Sequence, residues 1–408
     1  MTDSCDSRLD LSRDTLPPPL RPGAGLHVLD ITKYFGATTG GIRTYLMEKA
    51  AWVGRHPYLR QTLVVPGDAD SVTDTDGGGA RCYRVRSPRI PFQHQYRAMV
   101  AARTIRRIIV HERPDVIEVG SPLLVPWLVH WANRGLRVPA VWFFHSNVSR
   151  LAAPRSLEDP PRQRWRHALA RRYVARVSRL FDAVLATSDF AEHDLRGAGV
   201  YHVRRVTMGL DLHRFHPDRR ALRQATRQRL GWPAGPVVVY LGRLAREKRL
   251  DVAVRAWRTI GPRTGATLVL MGDGPDRARL VRLANGGRVL CQPHDPDRDR
   301  VAQALAAADI YLAPGPVETF GLSALEAMGC GTPVVAVDRG AVPELILRSE
   351  GGVTFPNGNA DALASTLETI LGQDLSAMGS RARRHVERHH RWDEVFSELF
   401  GMYRTIVS

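Results

Sequence analysis

Val237-Val238-Val239-Tyr240-Leu241-Gly242-Arg243-Leu244-Ala245-Arg246-Glu247-Lys248-Arg249-Leu250 opens on a run of β-branched and aromatic residues, breaks at a glycine, and crosses a basic loop into a helical pattern. Strand, tight turn and helix in that order make half of a βαβ unit. The alternation continues C-terminally, predicting a helix over Leu250–Thr259, a strand over Thr267–Met271, a helix over Asp276–Ala284 and a strand over Val289–Cys291. A helix over Arg298–Ala308, a strand over Ile310–Ala313, a helix over Leu322–Met328, a strand over Val334–Ala336 and helices after Asn359 complete that half.

The N-terminal half carries its own series. Strands are predicted at His27–Ile31, Gln61–Val65, Val116–Val119, Val138–Phe144 and Ala183–Thr187, and helices at Ile42–Val53, Tyr96–Glu112 and Gln163–Phe181. Alternation that stops and restarts predicts two doubly wound α/β domains, each a parallel sheet covered by helices on both faces. The boundary falls near Gly209–Asp218, between Val203–Thr207 and a helix over Ala221–Leu230. The expected division is a disordered tail over 1–24, an N-terminal domain over 25–210, a C-terminal domain over 211–388, and a C-terminal helix over 389–408 packing back toward the N-domain. Two such domains facing each other across a cleft would present the carboxyl ends of both sheets to it, where ligands of open α/β sheets bind.

Composition bounds the class. The chain has 408 residues, 44% of them hydrophobic, with a net charge of +17 carried mostly by arginine. That charge suits polyanions, phosphorylated ligands or an anionic bilayer, and it equally fits a compositional bias toward arginine. No apolar run reaches the roughly 18 residues of a spanning helix. The run Leu123–Trp131 is broken by Pro126 and preceded by Pro122. Asp3, Asp6, Asp10 and Asp14 stand where a signal peptide needs cations, and Pro17, Pro18 and Pro19 close a segment expected to be mobile. Cys5, Cys82, Cys291 and Cys330 lack metal-site spacing and read as reduced, buried or incidental thiols of a cytoplasmic protein.

Two loops carry candidate chemistry. Arg243 and Lys248 sit at the carboxyl end of the predicted strand 237–241; arginine grips two phosphate oxygens, while lysine is a compact point charge. A basic loop of this kind also suits a plain solvated surface. Glu318-Thr319-Phe320-Gly321-Leu322-Ser323-Ala324-Leu325-Glu326 follows the strand 310–313. Gly321 permits close backbone approach, and the first turn of the helix it precedes offers free N–H groups to an anion. Two carboxylates beside a phosphate site are at odds with it unless they bind something neutral, such as sugar hydroxyls. Taken singly, Glu318 also reads as a charge at a helix N-terminus, and Glu326 as a solvated helix residue. Asp273 reads as a turn residue.

The C-terminal half resembles the donor domain of GT-B glycosyltransferases of the large retaining family 4. The resemblance rests on Gly242–Asp251, Met271–Pro275, Ala308–Gly315, the two glutamates 318 and 326, and Gly331–Ala336. It extends over most of the chain through Gly40-Gly41-Ile42-Arg43, His145 and the linker Gly209–Phe215. It implies that Arg243 and Lys248 bind the donor diphosphate and stabilise the leaving group. Glu318 would contact the transferred hexose, with Phe320, Gly321 and Leu322 lining the sugar and phosphate pocket, and Glu326 would hold the ribose. Gly40 and Gly41 would let a loop close over the phosphates, and His145 would face the sugar; Gly40-Gly41 as a plain turn and His145 as a structural histidine stand as alternatives. Arg43 would reach phosphate or acceptor. The resemblance further implies retention by front-side attack, with no covalent role required of Glu318, no metal and no cofactor. The donor would be a nucleotide-diphosphate sugar, GDP-mannose ahead of a UDP-hexose.

On the acceptor side, projecting Gln163–Phe181 at roughly 100° per residue gathers Leu169, Tyr173, Val177, Leu180 and Phe181 opposite Arg164, Arg171, Arg172, Arg176 and Arg179. That pattern serves a core helix with a solvated face. It serves equally a helix whose arginines meet anionic headgroups, each adding about 1 kcal/mol. Phe143–Asn147 and the residues around Glu318 look most like lipid-directed mannosyl- and related hexosyltransferases. The expected partners are therefore a lipid or glycan acceptor and an anionic membrane surface met peripherally on the inner face, with no specific nucleic acid. A soluble acceptor, a GT-B glycan phosphorylase and a non-enzymatic polyanion binder are the alternatives.

Overall fold

The computed structural model describes residues 10–20, 25–36, 40–74, 79–90, 93–145, 164–284 and 287–408. The chain divides into two compact units: Met1–Thr187, Ala191–Thr207 and Asp393–Ser408 form one, Ser188–Phe190 and Met208–Trp392 the other.

In the first unit the strands are β1 (Leu26–Ile31), β2 (Leu59–Gly67), β3 (Ser71–Asp74), β4 (Ala80–Arg86), β5 (Arg89–Ile90), β6 (Gln93–Arg97), β7 (Val116–Val119), β8 (Ala140–Phe143), β9 (Ala183–Ala186) and β10 (Val203–Arg205). Eight of them form one sheet in the order β10-β9-β8-β7-β1-β2-β4-β3, with β5 and β6 a separate hairpin. Every pair in the large sheet is parallel except β3 with β4. The inner strands are buried along their length, as helices on both faces require. Helices α1 (Gly41–Gly54), α2 (Ala102–Glu112), α3 (Leu124–Ala132), α4 (Arg164–Ser178) and α5 (Asp189–Gly197) connect them.

Several expectations for this unit need correction. Residues 10–20 are not a mobile tail. Leu11 and Leu16 join the core and Leu20 is buried. Their backbone is held by side chains, with the Leu20 N–H donating to Glu112 at 2.9 Å and Arg81 donating to the Pro18 carbonyl at 2.7 Å. Three apolar residues spaced through a polar stretch were the signal, and the prolines masked it. The helix expected from Tyr96 begins at Ala102, with β6 before it. The run at 123–131 is helical, because Pro126 lies in the first turn, where a missing N–H leaves no hydrogen bond unmade. On α4 the inward residues are Ala170, Val174 and Val177, followed by Phe181, whereas Leu169 is 59% and Trp165 58% exposed. Gln163 lies outside the described residues.

The C-terminal helix Trp392–Val407 packs in this unit from Asp393 onward. Phe396 and Phe400 lie 5.8 and 5.1 Å from the Trp52 ring. Beside them, fully buried Lys49 donates to Asp30 at 2.8 Å, Glu118 at 3.1 Å and the Tyr403 hydroxyl at 3.1 Å. Gln61 closes the network on Asp30 at 2.7 Å and Tyr45 on Glu118 at 3.0 Å. Burial pushes the Asp30 carboxyl up to about 7 against the opposing pull of Lys49. One cation thus holds two carboxylates between β1, β7, α1 and the last helix.

The second unit is a six-stranded parallel sheet of β11 (Val237–Leu241), β12 (Thr267–Met271), β13 (Val289–Gln292), β14 (Ile310–Ala313), β15 (Val334–Val337) and β16 (Gly352–Phe355). Its order is β13-β12-β11-β14-β15-β16, the 3-2-1-4-5-6 order of a dinucleotide-binding fold. Around it lie α6 (Arg223–Arg229), α7 (Leu250–Thr264), α8 (Arg277–Leu283), α9 (Arg298–Ala307), α10 (Leu322–Gly329), α11 (Val342–Ser349), α12 (Ala360–Leu371) and α13 (Leu375–His389). The helix expected over Ala221–Leu230 is divided: a 3-10 turn over Pro217–Leu222 precedes α6.

Replacing Lys49 by methionine keeps the volume and strands two buried carboxylates. The expected loss is about 3–5 kcal/mol of unfolding free energy at pH 8. A buried acid with a raised folded pKa destabilises most once ionised, so the loss should shrink toward pH 5; urea titrations at both pH values check this.

Candidate functional site

In the second unit the chain order reverses between β11 and β14, so the loops leaving their carboxyl ends diverge and open a crevice. The first loop is held backbone to backbone against the turn after β12. The Gly242 N–H donates to Met271 O at 3.0 Å, Leu244 N–H to Asp273 O at 2.9 Å, and Asp276 N–H to Leu244 O at 3.0 Å. A Cβ on Gly272 would stand 2.0 Å from the Gly242 carbonyl oxygen, which is why glycine precedes Asp273. The Asp273 carboxylate accepts from Arg277 at 3.0 Å and from the His294 N–H at 2.9 Å, bracing the next loop. Tyr240 donates to the Arg243 carbonyl at 3.0 Å. Arg243 and Lys248 are thereby set on a rigid base, Arg243 paired with Glu247 and Lys248 with Glu318.

The second loop is fixed from three directions. The Ala341 N–H donates to the Glu318 carbonyl at 3.0 Å, Ser188 donates to the Thr319 carbonyl at 2.7 Å, and a Cβ on Gly315 would meet the Lys248 backbone at 3.3 Å. Gly321 precedes α10 at φ +92°, with Val342 so close that an added Cβ would lie 2.5 Å from it. Phe320 is buried, and Leu322 opens the helix. Glu326 is not the solvated helix residue that the sequence alone allowed. Its side chain is 3% exposed, Arg298 lies 2.5 Å from its carboxylate, and burial pushes its carboxyl up while Arg298 pulls it down. The crevice therefore joins Arg243, Lys248 and Arg298, a helix N-terminus, and the carboxylates of Glu318 and Glu326, one partly exposed and one buried.

The first unit has its own reversal, between β1 and β7. Gly40 precedes α1, whose first turn holds Gly41 and Arg43, and Arg43 lies 5.7 Å from the Phe35 ring. An added Cβ on Gly40 meets no described atom within 4 Å. His145 follows β8; a Cβ added at Gly120 would meet its ring at 3.4 Å, and the Phe143 ring lies 4.0 Å away. Burial, reinforced by Lys49, pushes the His145 imidazole down to about 3. It is neutral near pH 7, suited to a directed hydrogen bond and not to supplying charge. The exposed arginines Arg171, Arg172, Arg176 and Arg179 lie on or just after α4. Ser146 and Asn147 fall outside the described residues.

Reading residues in sequence missed Arg298 and Ser188, which reach the crevice from elsewhere in the fold, and gave no role to Glu247, which pairs with Arg243 within the loop itself. Arg298 is one of many arginines, and its position is set by the cap of α9. Asp297 accepts there from the N–H groups of Asp299 and Arg300, at 2.9 and 3.2 Å.

Two known domain families match in order: glycosyl transferase 4-like domains over residues 40–211 and glycosyl transferases group 1 over 235–373. A GDP-mannose-dependent alpha-(1-6)-phosphatidylinositol dimannoside mannosyltransferase of Mycobacterium tuberculosis is 32% identical over 365 residues, 89% of this chain and 92% of the relative. Among solved structures, sucrose-phosphate synthase of Thermosynechococcus elongatus superposes with TM-score 0.72 at 22% identity, covering 93% of this chain and 99% of its own. Anabaena HepE, solved with UDP and glucose, gives 0.71 at 19% identity, covering 92% and 98%. At those identities the two structures speak for the fold, which is that of the GT-B glycosyltransferases.

The close backbone contact at Gly272 generates a test. Gly272→Ala should force the loop 242–248 away from β12, with an expected loss of about 1–3 kcal/mol or more in chemical denaturation; Gly265→Ala, at φ +67° where an added Cβ meets nothing, gives the smaller cost of a left-handed alanine without a clash.

Proposed function

The chain belongs to the group 1 glycosyl transferases, and from that premise we propose that it transfers a hexose, mannose by preference, from a nucleotide-diphosphate sugar to a lipid or lipid-linked glycan. The proposed donor is GDP-mannose, and the reaction retains anomeric configuration at the cytoplasmic face of a membrane. The carrying observation is the meeting of Arg243, Lys248, Glu318 and Glu326 at one switch point. The mannosyl and lipid parts lean on the mycobacterial relative, whose name specifies both.

The chemistry follows from the charges. The donor's diphosphate lies between Arg243, Lys248 and the first turn of α10, so those groups take up the charge that grows as the bond from hexose C1 to phosphate oxygen breaks. The acceptor hydroxyl oxygen bonds to C1 from the same face, and its proton passes to the departing phosphate oxygen. Glu247 pairs with Arg243 and Glu318 with Lys248. Arrival of a diphosphate draws the cations toward phosphate and releases Glu318 to accept from hexose hydroxyls. Glu326 accepts from the ribose diol. Phe320, Gly321 and Leu322 line the pocket between sugar and phosphate. For the first unit, the proposed roles are phosphate contact for Gly40 and Gly41, phosphate or acceptor contact for Arg43, and a sugar hydrogen bond for neutral His145. No metal or cofactor is assigned a part.

The lipid reading draws on α4. Its exposed arginines share the helix with exposed Trp165 and Leu169, and Tyr173 ties it to the start of α3, donating to the Leu123 carbonyl at 2.7 Å. Leu123 and Leu124 are themselves half-exposed. Arginines beside exposed aromatic and aliphatic side chains suit an anionic interface. No helix among the described residues is long and apolar enough to cross a membrane.

Arg243→Ala and Lys248→Ala should each lower kcat about 100- to 1,000-fold with the fold intact; wild-type turnover on GDP-mannose in either would overturn the clamp. For the acceptor side, wild type should sediment with anionic vesicles and lose that binding as salt rises, since the Debye length is about 8 Å at physiological ionic strength. Changing Arg171, Arg172, Arg176 and Arg179 to glutamine should weaken sedimentation. Equal sedimentation by both proteins would remove α4 from the mechanism, and none by either would favour a soluble acceptor.

A further inference from the structure

Arg298 belongs to none of the motifs that define the crevice, yet it makes the closest contact to the buried carboxylate. It is the first residue of α9 and lies in an acidic stretch whose other members are already engaged. Asp295 pairs with Arg300 through two hydrogen bonds of 2.8 Å, Asp297 caps the helix, and Asp299 pairs with Arg219 at 2.7 Å. Arg298 turns inward, its guanidinium 5.0 Å from the Phe215 ring and 2.5 Å from Glu326. Arginine suits this position because the planar group packs on an aromatic ring while its fork stays directed at a carboxylate.

We infer that Arg298 is a positioning residue that holds Glu326 ionised and oriented, so that the buried carboxylate can accept from both hydroxyls of a nucleotide ribose. The inference rests on the donor-site reading above. A protonated carboxyl spends one oxygen as a donor and loses part of its capacity to accept. Isolated burial drives a carboxylate toward that form, and a cation in contact opposes it. The other titratable groups around α10 do not do this work. Tyr311 on β14 donates to the Leu241 carbonyl. Burial pushes the Cys330 thiol at the end of α10 far up, where it stays neutral. Arg383 on α13 is committed to the carbonyls of Phe215 and Gly329 and to Glu387, and Arg220 to the carbonyl of Gly331. β15 carries no titratable residue.

The test is the pH dependence of nucleoside diphosphate binding, measured calorimetrically with GDP, UDP and ADP on the full chain. Arg298→Gln keeps a hydrogen-bond donor and removes only the charge, while Arg298→Lys keeps the charge. Removing an adjacent cation raises a carboxyl pKa by about 1–3 units. The glutamine variant should therefore bind at least about tenfold more weakly than wild type at pH 6, recovering to within about threefold by pH 9. Lysine should restore most of the affinity at pH 6, and Glu326→Gln should abolish the pH response. Inorganic pyrophosphate, which has no ribose, should bind wild type and Arg298→Gln alike. A pH-independent loss, or an equal loss for pyrophosphate, overturns the inference and makes Arg298 a scaffold or phosphate residue. Unchanged binding by Arg298→Gln at every pH overturns it as well. If wild type binds none of the three nucleotides, the donor-site reading fails and the inference falls with it.

Discussion

Everything in the second unit depends on one backbone contact, the loop after β11 lying directly on the turn after β12. Three hydrogen bonds between Gly242–Leu244 and Met271–Asp276, and a glycine at 272 with no space for a Cβ, leave the loop a single position. Because β11 is also the strand at which the sheet order reverses, that position is the floor of the crevice. Lys248 then sits against Gly315, and the loop after β14 is placed in turn. A charged loop held by its own long side chains would be mobile; one held by backbone against backbone presents its cations in fixed directions, as electrostatic catalysis requires.

The charges of the site are paired within the protein. Arg243 and Lys248 each have a carboxylate partner, and so does Arg298. The pairs differ in burial, and that decides what each can do. The Lys248 and Glu318 side chains are 20% and 30% exposed, so water screens their attraction and a diphosphate can displace it at modest cost. Glu326 is enclosed, and breaking its pair would leave a buried charge alone, so that pair is built to persist. The first unit repeats the logic: a single cation, Lys49, pairs with both Asp30 and Glu118 close to a histidine that stays neutral in the same field.

How much of this was legible in the sequence varied with the length scale of the interaction. The strands at 237–241, 267–271 and 310–313 were placed to the residue, because a fully buried parallel strand reads as an apolar run between glycine-bearing loops. β3 and β4 did not stand out, because Arg81 and Arg84 interrupt the run at 80–86 and one of them, Arg81, is buried only by virtue of Glu112 and Asp74. The projection of α4 put Leu169 inside, since hydropathy alone cannot tell a core leucine from a surface one. At the crevice, Arg243, Lys248 and Glu318 were visible because each lies a short distance from a strand end, and Glu326 through its spacing from Glu318. Arg298 and Ser188 were invisible because long-range packing alone brings them there.

The spacing of the two glutamates has a physical reading beyond its use as a signature. Glu318 lies in the loop, three residues before the Gly321 turn, while Glu326 is the fifth residue of α10. At about 1.5 Å rise per residue, Glu326 stands roughly one and a half turns below the helix mouth. The mouth itself, where the first N–H groups are free, is where a diphosphate belongs. On the proposed reading, one carboxylate would lie before the phosphates and one behind them, as suits a ligand that carries hexose and nucleoside on opposite sides of its diphosphate. Moving Glu326 one residue either way would turn its side chain about 100° around the helix, away from Arg298 and the crevice. Moving Glu318 would separate it from Lys248. On the proposed reading, the spacing is set by the length of a sugar nucleotide laid across a helix N-terminus. The buried end of that span needs a cation from outside the motif to keep its carboxylate charged.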